Sequence, residues 1–519
     1  MMSVRKDYFM EIRVQDLMAS SGVTFGTSGA RGLAEAMTDF VCYVYTAGFL
    51  KYVMSIAEYQ RNNIEVAIAG DFRSSTDRIM EAIRRAVEDN GYRSILCGKI
   101  PSPAIAFYGI AKKIPAIMVT GSHIPDDRNG IKFNKIEGEI LKNDEAEIRK
   151  QIVVVDDSLF DRSGNFVNSL TGQSHVTEAA QEMYIKRYLR FFPSGCLQGL
   201  KIGVYQHSAV GRDLLVEIVS KLGADAIALN RSDAFIPVDT EAVRPEDIQL
   251  AQAWASEYNF DSIISTDGDS DRPLVADEKG NWLRGDIAGI LCAKYLGANA
   301  VVAPISCNTA LEKCGYFSDI RRTRIGSPYV ISGMIEATEE GNKSVVGYEA
   351  NGGFLIQSDI KKDDRILKAL PTRDAVIVLL SILSMSKKEC KTISDLFTSL
   401  PQRYTASDKL KNFPTEKSGA ILNYFTTNSF VEDKERIESI FGDLCGKLNS
   451  IDRTDGIRMT FANQEIIHLR PSGNAPEFRC YNEAESIARA LELNTECMAK
   501  LSQISADDRI NDLENNLAK

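Results

Sequence analysis

The feature that most narrows the fold is an alternation that begins at Ile64. Short apolar runs of strand length take turns with helix-length amphipathic stretches, and Gly or Pro sits between the pieces. IEVAIAG is followed by a helical pattern over Thr76 to Asn90, then RSILCG, a helix over Ala104 to Lys112, and PAIMVT. Strands separated by helices imply a parallel α/β sheet. The pattern recurs from Leu200 as LKIGVY, a helix over Arg212 to Lys221, ADAIAL, a helix over Pro245 to Glu257, and DSIIST. A third round starts near Ala298 with NAVVAPI, runs through a helix near Tyr329 to Thr338 and the strand SVVGYE, and ends in a helix over Arg373 to Ser386. No residue-by-residue repeat accompanies it, so the recurrence is architectural.

The last hundred or so residues break this rhythm, with a helix signal in VEDKERIESIFGDLCGKL, strands at IRMTF and EIIHLR, and a final helix from Ala484. The expected fold is three consecutive α/β domains with mixed or parallel sheets plus a smaller C-terminal α+β domain. The connectors NSLTGQSH and LPQRYTASD and the start of the third round near Ala298 divide the chain into expected domains 1–172, 173–298, 299–402 and 403–519. A chain of 519 residues requires several cores in any case.

Composition removes whole classes of function. The N-terminal MMSVRKDYFMEIRVQDLM has charges through its apolar positions and reads as no signal peptide. AVIVLLSILSM, among the longest apolar stretches, is too short to cross a bilayer, so no membrane partner is expected. A net charge of −10 without a basic run argues against nucleic acid. The 10 cysteines contain no C-x-x-C pair, which suits a reducing cytoplasm. With 4 histidines, chemistry on clustered imidazoles is excluded by number, leaving carboxylates, cations and hydroxyls.

Five segments carry chemistry. VTGSHIPDDRNGIKF, Val119 to Phe133, leaves the end of a strand, where open α/β sheets place ligands. Ser122 there is a candidate nucleophile or phosphate carrier, with His123 as its neighbouring base; the bland alternative is a polar turn. STDGDSDRP, Ser265 to Pro273, alternates Asp267, Asp269 and Asp271 past the strand DSIIS. In extended backbone three alternate carboxylates share a face and need a cation, and hard oxygen ligands with room for phosphate suit Mg²⁺. An EF-hand calcium loop also begins this way and finds Glu278 in place, but Arg272 replaces its glycine, Pro273 follows, and the flanks read as strands. A solvated acidic turn is the remaining alternative.

LRPSGNAPEFR, Leu469 to Arg479, sets Arg470 and Arg479 around a Ser472-Gly473-Asn474 turn whose backbone N–H groups can form an anion nest. A hairpin with solvent-facing arginines competes with it. FGTSGARG, Phe25 to Gly32, offers Ser28 and Arg31 in a glycine-rich turn without the strand-to-helix setting of a dinucleotide site. GYEANGGF, Gly347 to Phe354, brings Glu349 and Asn351, an acceptor and an amide suited to paired sugar hydroxyls. Each of these two also reads as a plain turn.

Together and in this order, the five segments resemble the signature set of the α-D-phosphohexomutase superfamily of phosphomannomutases and phosphoglucomutases, from Phe25 to Arg479. The resemblance implies four domains around a central cleft. It further implies a phosphoserine at Ser122, Mg²⁺ held by that phosphate with Asp267, Asp269 and Asp271, and basic site residues Arg31, Lys132 and Arg272. Lys132 is the preferred proton-transfer or phosphoryl-contact residue. Glu349 and Asn351 match the sugar loop, and RIGSPY, Arg324 to Tyr329, resembles the neighbouring specificity loop with Gly326 and Ser327. Arg470, Ser472, Gly473, Asn474 and Arg479 correspond to the grip on the non-reacting phosphate.

The reaction implied is interconversion of hexose 1- and 6-phosphates of mannose or glucose through a hexose 1,6-bisphosphate, which also serves as activator. The alternatives are a phosphoglucosamine mutase, a hexose-bisphosphate synthase, or a noncatalytic phosphosugar-binding protein. The oligomeric state is left open. The chain departs from the family pattern at Ile124, usually Asn, and at Asn474-Ala475, commonly Thr-Glu. Gly353 stands where many bacterial relatives carry a histidine, so the general base falls to Lys132 or to a carboxylate the sequence does not identify.

Overall fold

The run Glu65–Gly70 forms a strand buried along nearly its whole length, with Arg93–Lys99 and Ala116–Val119 parallel to it on either side. That double-sided burial explains why it reads as a continuous apolar segment rather than an alternating one. The computed structural model describes residues 9–26, 29–56, 64–168, 175–427, 429–472 and 476–504. It divides into two units, Met1–Val301 with Gly326–Leu396, and Val302–Ile325 with Phe397–Lys519. The domain boundary expected near 172 lies outside the described residues.

In the first unit, the helix Thr76–Asp89 turns Ile79, Met80, Ile83, Ala86 and Val87 inward against this sheet. The helix Ser102–Lys112 carries Pro103 in its first turn, where a missing N–H costs nothing, and stops where Lys113 takes φ 56°. Past Ala116–Val119 the chain returns as Arg128–Lys135, antiparallel to Ala116–Val119 and to Gly29–Leu33. The sheet is therefore mixed. The connection Thr120 to Asp127 is shorter than the dozen or so residues that a parallel crossover needs, so the chain has to reverse.

The same device is used again. Lys201–His207 lies between Asp225–Arg231 and Ser262–Thr266, parallel to both, and Pro273–Ala276 returns antiparallel to Ser262–Thr266. Val345–Tyr348 pairs antiparallel with Phe354–Ile356. Each reversal is a short loop at the carboxyl end of a buried strand, and these loops carry Ser122, the three aspartates, and Glu349 with Asn351. Of the third α/β region, the helices Gly285–Leu296, Ser327–Glu339 and Ala375–Glu389 belong to the first unit. The strand Asp319–Thr323 and the short helix Ala310–Lys313 belong to the second.

The second unit also holds a five-stranded antiparallel sheet in the order Tyr404–Lys411, Glu477–Ala484, Ile466–Pro471, Ile457–Phe461, Leu448–Asp452. Ile457–Phe461 alternates buried and half-buried residues, as a one-sided sheet should. Its core joins Leu469 and Phe478 to Phe425, Phe441 and Leu501 from the helices Thr415–Phe425, Phe430–Cys445 and Ile487–Ile504. Among the described residues no helix is long and apolar enough to cross a membrane.

Candidate active site

Ser122 sits in the first reversal loop with φ 56°, a left-handed conformation that costs a non-glycine residue on the order of 1 kcal/mol and persists only where the surroundings impose it. The surroundings are unusually specific. Its N–H donates to Thr120 Oγ1 at 2.8 Å, and that hydroxyl donates to Asp71 Oδ2 at 2.8 Å. The Arg73 guanidinium, paired with Asp71 at 3.2 Å, donates to the carbonyls of Ser122 (2.8 Å), Ile124 (2.5 Å), Pro125 (2.6 Å) and Arg128 (3.0 Å). Its flat face stacks 4.0 Å from the centroid of the Phe235 ring. One buried cation thus ties down most of the loop.

The loops carrying Ser122 and Asp267 touch directly. A Cβ at Gly268 would lie 2.8 Å from the Ser122 carbonyl oxygen and 3.0 Å from the Phe235 ring, so only glycine fits there. Across that contact Ser122 Oγ donates to Asp267 Oδ2 at 2.6 Å, with His123 Nδ1 3.3 Å away. Burial, assisted by Arg272 and Arg31, depresses the His123 pKa to about 2, so the imidazole is neutral.

Asp267, Asp269 and Asp271 converge, with ligand oxygens all within 4.8 Å of one another and each side chain buried. The reason differs from the extended alternation read from the sequence. These residues lie in a turn beyond Ser262–Thr266, with Ser270 at φ 58°, and the N–H groups of Asp271 and Arg272 both donate to Asp267 Oδ1 at 3.1 Å. Lys132 Nζ bridges Asp269 and Asp271 at 2.6 Å each, Ser102 Oγ donates to Asp269 at 2.6 Å, and Arg373 Nε donates to Asp271 at 3.1 Å.

Burial, reinforced by Asp269 and Asp271, pushes the Asp267 carboxyl well above the usual carboxylate range. Burial acts on Asp269 in the same sense, but Lys132 outweighs it and holds that carboxyl below its ordinary value. For Lys132 burial opposes the charge, yet Asp269 and Asp271 prevail and its pKa is raised. A lysine so held is a cation near neutrality.

Asp269 Oδ1 and Asp271 Oδ1 are buried without a hydrogen-bond partner, although Arg272 Nε stands 3.7 Å from the latter. Unsatisfied carboxylate oxygens beside a third carboxylate fit a divalent cation with hard oxygen ligands. The residues present therefore suit Mg²⁺.

Cations surround the triad. Arg31 lies on Gly29–Leu33, opposite Gly130 in the strand that carries Lys132. Burial, together with the charges of Arg272 and Arg373, brings its pKa down to about 10, with Asp269 opposing the shift. Glu349, 5% exposed, has Oε2 3.5 Å from Arg373 Nη1. Asn351 Oδ1 accepts from Gly353 N at 2.9 Å, and its carbonyl accepts from Thr240 Oγ1 at 2.6 Å. The first unit thus gathers Ser122, His123, Lys132, the aspartates, Arg31, Arg272 and Glu349 into one charged cluster, with Asn351 on the adjoining turn.

Gly326, with φ 130°, and buried Ser327 start the helix Ser327–Glu339 and belong to no contact just described. In the second unit, Arg470 and Arg479 face each other as register partners on paired strands, as the turn between two strands predicts. Arg470 Nε is 2.8 Å from Asp455, though not aligned for a hydrogen bond, and Arg479 Nη2 is 3.1 Å from Glu477. Ser472 N donates to the Glu477 carbonyl at 2.8 Å. Ser28, Gly473 and Asn474 lie outside the described residues.

The sequence reading passed over Asp71, Arg73, Ser102 and Arg373. Two signals were available: Asp71 and Arg73 directly follow the carboxyl end of Glu65–Gly70, and Ser102 opens the helix after Arg93–Lys99, both ligand-bearing positions in an open sheet.

Comparison with known proteins identifies the family. The chain matches phosphoglucomutase/phosphomannomutase alpha/beta/alpha domain I over residues 22–157, domain II over 182–280 and domain III over 284–404. It is 44% identical over 471 residues to a phosphomannomutase of Salmonella muenchen, covering 91% of this chain and 94% of that one. A phosphomannomutase of Sinorhizobium fredii is 38% identical over 481 residues, covering 93% and 99%. Among solved structures, a phosphoglucomutase/phosphomannomutase family protein of Burkholderia thailandensis superposes with TM-score 0.69 at 17% identity over 93% of this chain and 98% of that one. An N-acetylphosphoglucosamine mutase of Aspergillus fumigatus, solved with GlcNAc-6P and magnesium, gives TM-score 0.57 at 14% identity over 94% and 99%. The last two show the fold; the two phosphomannomutases, similar over almost their whole length, show more. The chain belongs to the phosphoglucomutase/phosphomannomutase family of the α-D-phosphohexomutase superfamily, and is a mutase.

Proposed function

We propose that the protein is a Mg²⁺-dependent phosphohexomutase that interconverts hexose 1-phosphate and hexose 6-phosphate through a phosphoserine at Ser122 and a hexose 1,6-bisphosphate. The observation that carries this reading is the 2.6 Å hydrogen bond from Ser122 Oγ to Asp267, in a buried triad where Asp269 Oδ1 and Asp271 Oδ1 have no hydrogen-bond partner. Pure binding of a phosphosugar would require neither a buried acceptor hydroxyl nor a metal triad.

In the forward half-reaction the P–O bond to Ser122 Oγ breaks, a P–O bond to the free sugar hydroxyl forms, and the proton of that hydroxyl ends on the released Ser122 Oγ. After the bisphosphate turns around, Ser122 Oγ receives its other phosphoryl group. Asp267, Asp269 and Asp271 would hold Mg²⁺ beside the Ser122 phosphate, where the bound ion stabilises charge on the transferring group. Lys132, Arg31 and Arg272 are assigned to the phosphoryl oxygens and Glu349 and Asn351 to sugar hydroxyls, while Gly326 and Ser327 tune the choice of sugar. To Arg470, Ser472, Gly473, Asn474 and Arg479 we assign the phosphate that is not being transferred. His123 is held neutral, and a base so weak adds little to proton abstraction.

Mannose is the first substrate to test, because the relatives at 44% and 38% identity are named phosphomannomutases while those named phosphoglucosamine mutase stand near 26%. The 10 cysteines include no C-x-x-C pair, which supports a reducing compartment such as the cytoplasm. The test is a coupled assay of mannose, glucose and glucosamine 1-phosphates, with and without the matching 1,6-bisphosphate. Turnover of mannose or glucose phosphate stimulated by bisphosphate is the expected result. Turnover of glucosamine phosphate alone, or of none, contradicts the assignment.

A further inference from the structure

Arg373 belongs to none of the sequence motifs, yet its side chain is buried at 5% exposure where two of their loops meet. Its Nε donates to Asp271 Oδ2 at 3.1 Å, and its Nη1 lies 3.5 Å from Glu349 Oε2. One guanidinium therefore spans an aspartate of the acidic loop and the glutamate of the EANGG loop. Glu349 Oε2 makes no hydrogen bond, and the Arg373 guanidinium is the cation that faces it.

The backbone beneath Arg373 is anchored firmly. Asp374 accepts from the phenols of Tyr184, at 2.7 Å, and Tyr188, both on the helix Ala179–Phe191, and its N–H donates to the Phe354 carbonyl at 2.9 Å. On the other side Thr372 Oγ1 donates to Glu139. The side chain leaves this anchor across the face of Gly353. A Cβ at 353 would fall 2.6 Å from Arg373 Cδ and 2.7 Å from Cγ, well inside contact distance. The far end of an arginine can swing away, but these are its buried stem atoms, and moving them would take the guanidinium off both carboxylates.

We propose that Arg373 is a positioning residue that aims Glu349 at the sugar and competes with the divalent cation for Asp271, and that residue 353 is glycine because this arginine lies across it. The proposal rests on the reading that the aspartates take a divalent ion and the EANGG loop takes the sugar. It predicts opposite effects on two ligands, which simple structural damage would not produce. Without the guanidinium, Glu349 loses its orientation and sugar binding weakens; Asp271 loses a competing cation, and metal binding holds or tightens.

The test is isothermal titration of the full-length protein with MgCl₂ and, separately, with mannose 1-phosphate, for wild type, Arg373→Gln, Arg373→Lys, Gly353→Ala and the Arg373→Gln/Gly353→Ala double variant. Arg373→Gln is expected to lose about tenfold in mannose 1-phosphate affinity while Mg²⁺ affinity stays equal or rises. Gly353→Ala should reproduce the sugar defect alone and add nothing in the double variant, since both changes remove the same contact. Arg373→Lys keeps the charge but not the fork, so it should lose sugar affinity with Mg²⁺ affinity at the wild-type level; it replaces the Gln variant if that one does not fold. Parallel loss of both ligands, or full additivity of Gly353→Ala and Arg373→Gln, overturns the proposal. If wild type binds neither ligand, the functional reading falls and this falls with it; if wild type binds both and the variants match it, only the role of Arg373 is refuted.

Discussion

Ser122 Oγ and Asp267 Oδ2 are 145 positions apart in sequence and 2.6 Å apart in space. That contact is produced by two loops with the same construction, each a reversal from a buried parallel strand to an antiparallel partner. Because each strand is fixed by its neighbours on the sheet, the loops bring their polar groups together with little freedom left to lose, as preorganised transfer chemistry requires.

The acidic triad should be the metal site. In wild type, Mg²⁺ should raise the melting temperature, because an ion that binds only the folded state stabilises it by mass action. Asp269→Asn should abolish that rise and lower mutase turnover by roughly 10²-fold or more. Differential scanning fluorimetry across a Mg²⁺ series, paired with a coupled assay, checks both.

Lys132 is the principal counter-charge to Asp269 and Asp271 in the metal-free protein, with side-chain exposures of 10%, 0% and 2% for the three groups. Removing one partner of a buried ion pair strands the other, at a cost of about 3–5 kcal/mol. Lys132→Met should therefore melt earlier than wild type without metal, and should recover much of the difference when Mg²⁺ is added. Thermal melts in EDTA and in Mg²⁺ make the comparison.

Arg73 holds the Ser122 loop through four carbonyls and stacks on Phe235. Lysine cannot reproduce that fork. Arg73→Lys should reduce kcat by about 10²-fold, the size of effect that a small misplacement of a reacting group produces, with KM little changed. Phe235→Leu should cause a smaller loss of the same kind. Steady-state kinetics separate kcat from KM, and a change confined to KM would contradict the positioning role.

Much of the architecture is legible in the chain. Helix Arg212–Lys221 and strand Ile457–Phe461 have the bounds read from their patterns, because Gly and polar residues punctuate them. Other elements were hidden by physical causes. Arg128–Lys135 is a buried strand, but it carries Asn129, Lys132 and Asn134 inward, and such polar residues erase the apolar signal. The helix Asp39–Ser55 is buried on almost every side, so no amphipathic stripe marks it. The site follows the same division. Ser122 and the aspartates announce themselves by spacing, while Arg73 and Arg373 depend on carbonyls and carboxylates that only tertiary structure brings near. The turn geometry of Asp267 to Asp271 likewise comes from Ser270 at φ 58°, which extended alternation does not foresee.

The most direct test of the account is the mass of the intact protein, with peptide mapping, before and after incubation with mannose 1,6-bisphosphate, for wild type and Ser122→Ala. Wild type should gain one phosphoryl group, mapped to Ser122, and the alanine variant should gain none and lose interconversion of mannose phosphates. A wild type that is never phosphorylated, together with a Ser122→Ala protein that still turns over mannose 1-phosphate, would contradict it.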